Sequence, residues 1–102
     1  MGYPLTYRQY HMLKLHTLME FVYDHWQKDN PPTALLMGAF IHREYLTTVR
    51  EYQMRQPEVF RGAEATFNGL PVLLDNGEAL GMVRLLLKTG TSVRKEMYAS
   101  QP

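Results

Sequence analysis

The sequence predicts an α+β domain: two long antiparallel helices followed by a small antiparallel β-hairpin or meander and a flexible C-terminal tail. Two observations carry that expectation. Apolar residues recur at helical spacing through the first half of the chain, and Asn-Gly turn pairs punctuate the second half. A third observation bounds it. At 102 residues the chain fits one domain, which buries somewhat over ~60% of its unfolded surface in one modest core.

Thr6-Tyr7-Arg8-Gln9 has the form of a capping box, with Thr6 and Gln9 each able to satisfy the other's backbone amide. From there Met12, Leu15, Leu18, Met19, Val22, Tyr23 and Trp26 fall on one arc of a helix over 7–28, which the prolines at 31 and 32 end. Pro32 suits the first turn of a second helix over 32–55. Its stripe is Ala34, Leu35, Ile41, Tyr45, Leu46, Val49 and Tyr52, and Pro57 stops it. Asn68-Gly69 and Asn76-Gly77 bracket Leu70–Leu74, so strands are expected at about 63–67, 70–74 and 80–87. Residues 78–88 have high helix propensity as well; Gly81 and the preceding Asn-Gly pair favour strand. Residues 1–88 form the expected domain and the polar residues 89–102 its tail, which orders on a partner.

Composition narrows the function. Hydrophobic residues make up 45% and charged residues 21%, the balance of a globular chain. The formal net charge of +1 gives no long-range attraction to nucleic acid or anionic membrane. Without cysteine there is no thiolate zinc site, disulfide or cysteine nucleophile. Charged residues interrupt every apolar run of the first thirty, and no stretch reaches the roughly 18–20 apolar residues of a membrane span. A soluble, cytoplasmic protein is expected.

Catalytic patterns are missing. Ser92 and Ser100 lie in no nucleophile elbow, and the glycines match no phosphate-binding fingerprint. His11, His16, His25 and His42 include no i,i+4 pair for zinc, and no two carboxylates are paired by spacing. The expectation is a non-enzymatic protein without catalytic residues, metal, cofactor or small-molecule substrate.

What remains is apolar surface away from the two stripes: Tyr10, Leu13 and Phe21 on the first helix, Leu36, Met37 and Phe40 near the start of the second. Two helices and a small sheet offer few surfaces to cover them, and contiguous apolar patches mark contacts. The chain is therefore expected to be an interaction or assembly module, binding a protein partner or a second copy through these six residues. The alternative is a nucleic-acid-binding regulator using Arg43, Arg50, Arg55 and Arg61, although Glu44, Glu51, Glu58 and Glu64 neutralise the same stretch.

Thr66-Phe67-Asn68-Gly69-Leu70-Pro71-Val72-Leu73-Leu74, continued by Gly81-Met82-Val83, resembles the F-x-G-x-P-V β-segments of tailed-bacteriophage structural proteins. The resemblance covers about a fifth of the chain and transfers no functional residue. It implies a small phage-encoded accessory protein, either a virion component or a protein that binds a host protein.

Overall fold

A computed structural model describes residues 14–97. In chain order these form α1 (Leu15–Asp24), β1 (Pro32–Met37), α2 (Ala39–Arg55), β2 (Thr66–Phe67), β3 (Leu70–Leu74), β4 (Met82–Leu87) and β5 (Ser92–Glu96). The strands make one five-stranded mixed sheet in the order β2-β3-β1-β4-β5. Two helices and this sheet replace the expected pair of long helices with a trailing hairpin.

The largest correction is β1. Pro32–Met37 is the central strand, parallel to β3 and antiparallel to β4, rather than the opening of the second helix. Its sequence explains why. A central strand flanked on both edges favours a near-continuous apolar run, and Ala34-Leu35-Leu36-Met37 is one. Gly38 then turns the chain into α2 as its N-cap, without a capping side chain.

That backbone is capped from elsewhere. The Gly38 amide donates to the Met82 carbonyl at 2.9 Å, and the Ile41 amide donates to the Leu80 carbonyl at 2.9 Å. The β3–β4 loop and the first residue of β4 thus satisfy amides at the helix start.

Because β1 lies between them, β3 and β4 are not hairpin partners, and Asn76-Gly77 belongs to a longer connection. There the Gly77 amide donates to Asp75 Oδ1 at 3.1 Å, a local Asx turn. Asn68-Gly69 does form the expected tight turn: both residues have positive φ, 51° and 82°. Residues 82–87 are strand, and β5 lies within the segment expected to be a flexible tail.

Both helices pack on one face of the sheet. Leu18, Phe21 and Val22 of α1 and Ile41, Tyr45 and Val49 of α2 join Leu35, Met37, Leu70, Val72, Val83, Leu85 and Leu87 in a single core. The strand members are those that period-two alternation sends to one side. The stripe of α1 is rotated from the expected arc. Phe21 is buried, Tyr23 is exposed, and Trp26 lies beyond the end of the helix. Behind α2, the Tyr45 hydroxyl donates to the Ala63 and Thr66 carbonyls, and Tyr52 stacks on Phe60.

Candidate functional site

Alternation along the strands divides the sheet into a covered face and a second face. Among the described residues, both helices lie on the first. On the second, the register aligns Leu73, Leu36, Arg84 and Arg94 in one row across β3, β1, β4 and β5. Ala34, Leu86 and Ser92 form the next row, and Met82 stands opposite Glu96. Leu73 is 49% exposed; Leu36, Met82 and Leu86 are half-buried. On this open face Leu73 and Leu36 are neighbours on β3 and β1, Met82 and Leu86 flank Arg84 on β4, and the β5 positions Ser92, Arg94 and Glu96 are polar.

Two arginines directly opposite each other on neighbouring strands repel. The β3–β4 loop resolves the conflict. Asp75 Oδ2 accepts from Arg84 at 2.7 Å, while Glu78 takes both Arg94 Nη2 at 2.7 Å and Arg94 Nε at 3.1 Å. Glu78 also approaches Arg84 Nε at 3.7 Å, too far for a hydrogen bond. Bonding to Arg94 and to the Ala79 amide, helped by the charges of Arg94 and Arg84, holds the Glu78 carboxyl below its ordinary range against the opposing effect of burial. Two carboxylates answer two guanidinium groups, so the cluster carries no formal net charge. A hollow of about 380 Å³ lies beside it, lined by Asp75, Gly77, Glu78, Arg84, Ser92 and Arg94.

The six residues expected to bind a partner are dispersed. Phe21 (3% exposed) and Met37 (0%) are in the core, Phe21 because the α1 stripe is rotated and Met37 because it ends the central strand. Leu36 is on the open face beside Leu73, and Phe40 is half-buried in the first turn of α2 under the Arg43 guanidinium. Tyr10 and Leu13 lie outside the described residues. Leu74 and Leu80 are also exposed, 47% and 64%, but Leu74 is in register with Met37 on the helix side of the sheet, at the end of β3. Sequence reading passed over Leu73, Leu74 and Leu80. Alternation in Leu70–Leu74 could have exposed Leu73, had β1 been recognised as a strand.

No family model matches the chain, and no curated protein or solved structure matches it.

The arginines of the alternative reading do not gather into one patch. Arg43 and Arg50 share a crest of α2, being seven residues and so about 20° apart in projection, whereas Arg55 lies about 140° from Arg50. Arg55 caps the Tyr52 ring, and Arg61 is paired with Glu58 at 2.8 Å. The histidines are separate as well. The His25 ring nitrogen Nδ1 donates to the Phe21 carbonyl at 2.9 Å and so closes the end of α1. Among the described residues no three His, Asp or Glu side chains gather as a metal site would require, and no helix is long and apolar enough to cross a membrane. At the α2 N-terminus, where an α/β fold can seat an anion, the Leu80 carbonyl already holds the Ile41 amide.

Proposed function

We propose that the protein is a non-enzymatic interaction or assembly module, and that a partner protein presenting apolar side chains docks on the open sheet face. One observation carries the reading: Leu73 and Leu36 stand side by side on a sheet face that neither helix covers. Exposed contiguous apolar surface of this kind supports a protein contact. The charge arrangement supports the same class of partner. Arg84 and Arg94 are bound to Asp75 and Glu78 on that face, so a polyanion docking there would displace few counterions. The setting we propose is the one implied by the phage-like Phe67–Val72 segment: a virion accessory component, or a protein acting on a host protein in the host cytoplasm.

The experiment compares wild type with Leu73→Asp, a change at an exposed position that leaves the core intact. Self-association, read by light scattering at micromolar concentration, or capture of a specific partner from the native host is expected for wild type and lost in the variant. A wild-type monomer that captures the same proteins as Leu73→Asp ends the reading.

A further inference from the structure

β5 is the last strand of the sheet, and its hydrogen-bonding pattern shows what its outer edge offers. The Leu87 amide donates to the Thr91 carbonyl at 2.8 Å, and the Met97 amide donates to the Gly81 carbonyl at 3.0 Å. In an antiparallel ladder hydrogen-bonded and non-bonded pairs alternate. The bonded pairs are therefore 87–91, 85–93, 83–95 and 81–97. Val93 and Lys95 turn their backbone groups toward β4. Ser92, Arg94 and Glu96, all exposed, turn their N–H and C=O groups away from the sheet. Among the described residues no strand pairs with that edge.

The edge does not face open solvent alone. A groove of about 240 Å³ runs between it and the flank of α1, lined by Thr17, Glu20, Phe21, Asp24 and His25 on one wall and by Arg94 and Lys95 on the other. An exposed strand edge beside a helix is the geometry in which an extended peptide adds to a sheet, its backbone giving affinity and its alternate side chains specificity.

We infer that this groove binds an extended peptide segment, which pairs with the outward backbone groups of Ser92, Arg94 and Glu96 and sets a lysine or arginine against Glu20 and Asp24. The charge follows from the walls. Glu20 and Asp24 stand one turn apart on the exposed flank of α1, and neither is ion-paired among the described residues. Arg94 is engaged by Glu78, so among the described residues the groove walls set two carboxylates against Lys95, for which no ion pair is found. Successive side chains of an added strand point to opposite faces, so every second one faces the helix wall. This site is distinct from the open face and goes beyond the function proposed above.

The test uses two blocked heptapeptides, Val-Lys-Val-Lys-Val-Lys-Val and its counterpart with Glu in place of Lys. At low salt the lysine peptide is expected to bind about tenfold or more tightly than the glutamate peptide. It should also slow hydrogen exchange at the Ser92, Arg94 and Glu96 amides. The double variant Glu20→Gln, Asp24→Asn removes the discrimination between the two peptides. Glu96→Pro deletes an outward N–H while sparing the ladder to β4, and is expected to weaken binding about tenfold with the Lys95 amide still protected. Ser92→Pro makes the same test at the other end of the edge. Leu73→Asp should bind the lysine peptide as wild type does, which separates this groove from the open face. Absence of binding at millimolar peptide, equal affinity for the two peptides, or binding indifferent to both proline variants overturns the inference.

Discussion

The backbone of Gly38 rests against the carbonyl of Ala79, so closely that a Cβ on residue 38 would fall well inside contact distance of that oxygen. Gly38 has φ −61°, which any residue adopts, so its lack of a side chain is a matter of space alone. The approach lets the Leu80 carbonyl reach the Ile41 amide and the Gly38 amide reach Met82. Gly38→Ala must push the loop off the helix start. A loss of about 1–3 kcal/mol is expected, as for other overpacked sites, read as a lower denaturation midpoint at unchanged slope.

The same loop is held at its other side by charge. The Glu78 carboxylate bonds Arg94 and lies near Arg84, and its pKa is lowered from about 4.5. A depressed folded value means the bridge contributes above the ordinary carboxylate range and is lost as pH falls through the lower folded value. Acid below about pH 4.5 and Glu78→Gln at neutral pH are both expected to lower the protection of the Ile41 amide, its exchange being compared with the intrinsic rate at the same pH. The Val49 amide, in the middle of α2, should change less. Equal loss of protection at both positions would show global destabilisation instead.

Core and surface are told apart by Phe21, which the sequence places on a contact surface, and Leu73, to which it gives no role. Phe21→Ala is expected to cost about 3–5 kcal/mol, as for other buried aromatics, whereas Leu73→Ala on the open face costs under about 1 kcal/mol; thermal or denaturant unfolding measures both. The misplacement of Phe21 has a physical origin. Once Tyr23 and Trp26 are counted as core, the apolar arc of α1 swings away from Phe21, yet the helix ends at Asp24 before reaching Trp26. Length should have arbitrated at β1: four apolar residues between Pro32 and Gly38 suit a buried strand as well as a helix turn. Where local chemistry decides, sequence and structure agree, as at the Asn68-Gly69 turn and at Leu70–Leu74. β5 was illegible because Val93 is its one apolar residue, and an edge strand over an open face needs few. The row from Leu73 to Arg94 was illegible for a related reason, since it joins four strands whose register only the fold supplies.

Tyr45 ties α2 to the segment that leads into the sheet. Its ring is fully buried against Phe67, and its hydroxyl donates to the carbonyls of Ala63, at 2.5 Å, and Thr66, at 3.3 Å. Burial, with a smaller push from the Glu64 charge, raises its pKa from 10.0 to about 12. Tyr45→Phe keeps the packing and deletes the donor, so it is expected to cost about 1–2 kcal/mol. The sign of the alkaline effect follows from the raised value. The neutral phenol is favoured in the folded state, so its contribution is complete below pH 10 and disappears as pH rises toward 12. Wild type should lose stability over that interval by more than Tyr45→Phe does. Parallel decline of the two proteins from pH 9 to 12, followed by denaturant unfolding at each pH, would show that the Tyr45 hydroxyl is not held as these bonds require.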